Sequence, residues 1–178
     1  MKDFAQYHHR RSTWLQGYDY SQEGMFFITI CTHEKQRAFG FIDNAMMYLN
    51  ESGVIAQECW MEIPIHYPNV VLHDFIVMPD HIHGIIELGV QNFEPQPSQQ
   101  IFESIQHQRQ HNEYQKIIPR SVGSIIRGYK IGVTKWFREN HMGTRIWQRN
   151  YYEHIIRNEK SYHRISQYII NNPGRWID

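Results

Sequence analysis

The stretch VVLHDFIVMPDHIHGIIEL, residues 70–88, decides how the chain is read. Two apolar runs are joined by Met78-Pro79-Asp80, and the second opens with His81-Ile82-His83. Pro79 has no donor for a strand ladder and Pro-Asp favours a turn, so the reading is strand, tight turn, antiparallel strand. Strand side chains alternate between faces, so His81 and His83 share one face and Ile82 takes the other. Two imidazoles held side by side on a rigid strand, next to Gly84 where backbone can be closely approached, are the start of a metal site. Two hydrogen-bonded surface histidines would show the same pattern, and the pair alone does not separate these readings.

The 178 residues, 41% hydrophobic and 14% aromatic, suit one domain with a real core. No run approaches the ~20 apolar residues of a membrane span, and the opening MKDFAQYHHRRSTW lacks the apolar centre of a secretory signal. Cys31 and Cys59 lack metal-ligand or disulfide-framework spacing and read as two reduced thiols. The formal net charge is zero, yet the charges are segregated. From Asp43 to Glu103 there are nine acidic residues and no Lys or Arg. From Lys116 to Arg149 there are eight basic residues, among them Arg120, Arg127, Lys130, Lys135, Arg138 and Arg149, against Glu139 alone. Such polarity suggests a basic surface for a polyanion on an acidic body, with a solvated helix face as the other reading.

Residues 1–24 read as irregular, with Trp14, Tyr18 and Tyr20 as aromatics able to stack bases or to join the core. MFFITICT, residues 25–32, is apolar and β-branched and predicts a buried central strand. Asp43 reads as the cap of a helix running to about Ile63, on the spacing of Met46, Met47, Leu49, Val54, Ile55, Cys59 and Trp60. Residues 91–115 hold eight Gln, with Pro95 and Pro97, and an insertion is placed at about 89–117. Pro119 and Ser121 start a helix whose buried stripe is Val122, Ile125, Ile126, Tyr129, Val133, Trp136 and Phe137. Asn150 reads as the N-cap of a terminal helix ending near Asn171, with Ile155, Ile165, Tyr168 and Ile169 as core candidates. On such a helix Tyr151, His154 and Asn158 share a face. The order is α+β. With a short strand near residues 145–147 it makes a ferredoxin-like split βαβ antiparallel sheet, helices on one face and a C-terminal helix carrying the tyrosine.

Three blocks in order, YDYSQEGMFFITICT, FIVMPDHIHGIIEL, and WQRNYYEHIIRNE with YIINNPGRW, resemble the REP-associated tyrosine transposases, a branch of the single-tyrosine HUH endonucleases. The resemblance covers nearly the whole chain apart from the Gln-rich insertion, and it implies a single HUH domain over residues 1–178. It implies His81 and His83 as ligands of a divalent metal, Mg²⁺ or Mn²⁺, with Tyr151 as the nucleophile and His154 as the third ligand. The family usually reads Met-Pro-Asn-His where this chain has Asp80, a change that places a carboxylate beside the site.

The implied reaction is nicking and joining of single-stranded DNA beside a hairpin repeat, through a 5′-phosphotyrosine. Arg120, Arg127, Lys130, Lys135, Arg138 and Arg149 would hold phosphates. The implied setting is the bacterial cytoplasm, on the nucleoid when bound to DNA, with no membrane partner; a homodimer is left open. Two other readings remain: a hydrolytic metal-dependent nuclease, and a hairpin-binding protein that does not cut.

Overall fold

The computed structural model describes residues 23–89 and 121–176. In chain order they form β1 (Gly24–Cys31), a ribbon of β2 (Gly40–Asp43) and β3 (Met46–Leu49), then α1 (Glu51–Met61) and a short α2 (Ile63–His66). The hairpin β4 (Val70–Val77) and β5 (His81–Leu88) follows. After it come α3 (Val122–Glu139), β6 (Tyr152–Ile156) and α4 (Glu159–Ile170). The main sheet has the order β4-β5-β1-β6, each neighbouring pair antiparallel. The apolar run at Met25 therefore lies inside the sheet, with β5 on one side and β6 on the other, as its composition predicts.

Alternation along β1 and β5 divides the interior in two. Phe26, Ile28 and Ile30 of β1 and Ile82 and Ile86 of β5 point to one face. There they meet Ala56 and Trp60 of α1 and the stripe Val122, Ile125, Ile126, Tyr129, Val133 and Phe137 of α3. Ser121 caps α3 as expected, its Oγ accepting from Ser124 N at 3.3 Å. Phe27, Ile85 and Ile156 point the other way and pack on Ile165 and Ile169 of α4. Helices thus cover both faces, not one: an isolated α4 stripe would leave Phe27 and Ile85 in water, at a cost of about 1.5–3 kcal/mol for each side chain.

Two helices expected from spacing are shorter than expected. Residues 43–49 are not helical: Asn44 and Ala45, with φ of 48° and 61°, form the tight turn that joins β2 to β3. Two successive positive φ values match the right-handed twist of a two-stranded ribbon, and Asn is among the residues that tolerate them. The cap of α1 is Asn50, whose Oδ1 accepts from Gly53 N at 2.9 Å, rather than Asp43. Likewise, residues 150–158 do not begin a helix. Tyr151, Tyr152, Ile155 and Ile156 are aromatic or β-branched, residues that suit a pleated surface. The second edge of β1 needs partners for its backbone groups, and β6 supplies them. The helix starts only after Asn158, whose Oδ1 accepts from Ser161 N at 2.8 Å. The short strand expected near residues 145–147 is an isolated bridge between Thr32 and Trp147.

The readings made for residues 1–22 and 90–120, including the insertion and Arg120, lie outside the described residues. Among those described, no helix is long and apolar enough to cross a membrane. Gly84 turns out to serve packing: a Cβ built there would lie 2.3 Å from Trp60 Cζ2. We expect Gly84→Ala to destabilise the fold by about 1–3 kcal/mol, as overpacking does. Denaturant unfolding measures this, and an unchanged midpoint would contradict the close approach.

Candidate active site

The turn before β5 is fixed from outside the hairpin. Thr32 N and Thr32 Oγ1 each donate to the Asp80 carbonyl at 2.8 Å, and Phe39 N donates to the Pro79 carbonyl at 3.1 Å. The start of β5 is therefore held against the chain leaving β1. Asp80 is 7% exposed, with its Oδ1 2.5 Å from His81 Nδ1. An ionised carboxylate only accepts, so a neutral His81 in this contact carries its proton on Nδ1 and its lone pair on Nε2.

His81 and His83 do share a face, with ring centroids 4.5 Å apart. Cross-strand pairing sets His81 opposite Cys31 and His83 opposite Thr29. Thr29 Oγ1 lies 2.8 Å from His83 Nδ1, and the imidazole stacks on Phe27 at 5.3 Å. Burial pushes the His83 imidazole down to about 3, with His81 acting in the same direction and Asp80 opposing. A neutral imidazole is the form that ligates metal.

The third group comes from α4. Tyr168 Oη lies 3.2 Å from His83 Nε2, with its ring 5.2 Å from the imidazole. Tyr168 is 37% exposed, so the site opens to solvent. Ile165 and Ile169 seat the helix, and two polar contacts tie it to the irregularity in β4 between Leu72 and Phe75. Ser166 Oγ donates to Asp74 Oδ2 at 2.5 Å, and Tyr162 Oη lies 3.3 Å from His73 Nδ1.

Tyr151 is elsewhere. It immediately precedes β6, and with Ile155 it packs on the α1 and α3 side of the sheet, away from the His pair. The cause is the strand: on a helix Tyr151 and His154 would share a face, but period-two alternation separates them. Tyr152 and His154 take the His face, His154 opposite Phe27. Since β1 lies between β6 and β5, His154 is two interstrand spacings across from the pair and two or more residues along from it, roughly 12 Å from His83 and farther from His81. Among the described residues no three His, Cys, Asp or Glu side chains gather to hold a metal. The expected ligand role of His154 is not met by this geometry, nor is a place for Tyr151 beside the His pair.

The basic residues gather on α3. Arg127, Lys130, Lys135, Arg138 and Arg149 line a groove of about 610 Å³ with Tyr151, and no carboxylate is among its lining residues. Lys130 is partly committed: Nζ donates to the carbonyls of Gln148 at 2.9 Å and Asn150 at 3.1 Å. Burial lowers its pKa to about 8. Lys135 reaches Glu139 at 3.9 Å, an exposed pair worth little.

No family model matches the chain. An uncharacterised protein of Haemophilus influenzae is 45% identical over 174 residues, covering 95% of this chain and 91% of that protein. The two belong to one family. A second Haemophilus influenzae protein, described as a REP-associated tyrosine transposase, is 22% identical over 155 residues, covering 87% of this chain and 73% of that one. The solved structure of a REP-associated tyrosine transposase bound to a REP hairpin matches with a TM-score of 0.58 at 19% identity, covering 93% of this chain and 74% of that one. The fold is that of a REP-associated tyrosine transposase.

Within that transposase fold, Tyr168 is the residue that spacing alone did not single out. It follows Ile165 by three positions and reads as part of the buried stripe. The available signal was its place at the edge of that stripe, on a helix directed at the sheet face that carries the His pair. The pH dependence of stability tests the burial of His83. Below about 6.5 the unfolded chain takes up a proton that folded His83 refuses until about 3. Stability is thus lost as pH falls through that window. We expect this share of the loss to vanish in His83→Gln, read from unfolding curves between pH 7 and 4; identical pH slopes would contradict it.

Proposed function

We propose that this protein is a metal-dependent transposase of the HUH class that nicks and rejoins single-stranded DNA beside hairpin repeats, on a ferredoxin-like split βαβ sheet. Tyr168, not Tyr151, is its nucleophile. The observation that carries this reading is the 3.2 Å approach of Tyr168 Oη to His83 Nε2.

The residues present fit a divalent ion, Mg²⁺ or Mn²⁺. His81 is engaged at Nδ1 by Asp80 and His83 at Nδ1 by Thr29, so the ligating atoms would be the two Nε2, that of His83 exchanging its contact with Tyr168 Oη for the ion. Asn172 lies just past the C-cap Asn171 of the helix that carries Tyr168, and it is 7% exposed. Its amide oxygen would be the hard donor that completes the set, the role expected of His154. A bound ion supplies Lewis acidity at the scissile phosphate and lowers the charge that builds there.

Tyr168 attacks phosphorus: the Oη–P bond forms and the bond to the 3′-oxygen breaks. The phenol proton leaves to solvent and the departing 3′-oxygen takes one up. The product is a 5′-phosphotyrosine and a free 3′-hydroxyl, and attack by a 3′-hydroxyl reverses the step. The covalent bond keeps the phosphodiester energy, so joining needs no nucleotide cofactor. Hairpin DNA, the ligand in the solved transposase complex, is the proposed partner here too. Arg127, Lys135, Arg138 and Arg149 hold its backbone in the α3 groove, across the sheet from Tyr168.

With labelled hairpin DNA and Mn²⁺ on a denaturing gel, Tyr168→Phe should lose the covalent adduct while binding survives, and Tyr151→Phe should keep it. An adduct that persists in Tyr168→Phe and disappears in Tyr151→Phe would return the role to Tyr151. Cutting without any adduct would favour hydrolysis, and binding without cutting a recognition role. For the groove, Arg127→Ala and Arg149→Ala should each reduce the slope of log affinity against log salt by about one. Lys130→Ala should leave that slope nearly unchanged, because its ammonium serves the carbonyls of Gln148 and Asn150.

A further inference from the structure

Besides Asp80 and the edge contact with His83, a third group meets the His81 ring. After α4 a 3-10 turn at Pro173–Arg175 sends the chain back, and Trp176 arrives on His81. The ring centroids are 5.9 Å apart and the planes differ by 22°. Arg37 Cζ lies 5.8 Å over the same indole, a cation–π contact. The χ2 torsion of histidine is broad, and one hydrogen bond at Nδ1 with one edge contact from His83 leaves the ring face open and its plane loosely determined. A flat neighbour packed on the ring face removes that freedom.

We propose that Trp176 is a positioning residue for His81. The indole, backed by Arg37, holds the imidazole plane and so the direction of Nε2. The contact joins the two ends of the site: Trp176 belongs to the segment that follows Tyr168, and His81 opens β5. Only the metal arm of the test rests on the function proposed above.

The test uses the full chain with ¹⁵N-labelled histidine, first without metal. In the wild-type protein, long-range ¹H–¹⁵N spectra should show His81 as one tautomer, with ring protons shifted upfield by the indole. Trp176→Ala should remove the upfield shift and broaden the His81 ring signals through exchange between ring planes, with the Nδ1-protonated tautomer kept by Asp80, while the signals of His83 stay in place. Trp176→Phe should restore the sharp ring signals. Mn²⁺ titration, followed by the electron paramagnetic resonance of the free ion, should then show binding about 10-fold weaker in Trp176→Ala and near wild type in Trp176→Phe. His81 signals indifferent to Trp176→Ala would overturn the proposal, as would unchanged Mn²⁺ affinity in a wild-type protein that binds the ion through His81. Expected spectra in a protein that takes up no Mn²⁺ would leave the positioning intact and refute the metal reading.

Discussion

The antiparallel pairing of β1 with β5 is the constraint from which the site follows. Cys31 opposite His81, and Thr29 opposite His83, set which residues face α4 and which face α1 and α3. A slip of one residue would exchange every side chain between the faces, burying the imidazoles against Trp60 and exposing Ile82 and Ile86. The register is defended at both ends. Thr32 grips the Asp80 carbonyl at the turn, and Gly24 pairs with Leu88 at the far end. The buried Ile28, Ile30, Ile82 and Ile86 make any slip costly.

The helix that brings Tyr168 to this surface is held far more lightly than α3. Its apolar seat is Ile165 and Ile169 on Phe27, Ile85 and Ile156, whereas α3 buries six side chains in the larger core. Polar contacts at Asp74 and His73 supplement that seat, and both depend on the irregularity in β4 that turns those side chains toward the helix. Tyr168 thus sits on the less heavily packed layer, while His81 and His83 sit on the sheet itself. A rigid strand and a lighter helix meeting at one imidazole allow the phenol to adjust against a fixed pair of nitrogens.

Charge segregation has a spatial counterpart. The groove of α3 gathers cations from residues 127–149, and one of them, Lys130, spends donors on the segment leading into Tyr151. Tyr151 therefore belongs to the groove, packed beside cations, and its position there follows from β6 being a strand. The net charge of zero conceals this arrangement, because acidic residues elsewhere on the chain cancel it.

The sequence by itself determined what has a local period. The hairpin around Met78-Pro79-Asp80, the central strand at residues 25–32, the α3 stripe and its Ser121 cap, and the shared face of His81 and His83 could all be read directly. Each depends on neighbours within a few residues. Tertiary structure alone decided residues 43–49 and 150–156, where the apolar spacing fits either a helix or a strand. In the second case the open edge of β1 settled it, a partner more than a hundred positions away in the chain. That choice moved Tyr151 and His154 onto opposite faces, and the start of α4 at Asn158 placed Tyr168 on His83. A tyrosine becomes a candidate nucleophile through what its hydroxyl meets across the fold, and that distance is not written in its neighbours.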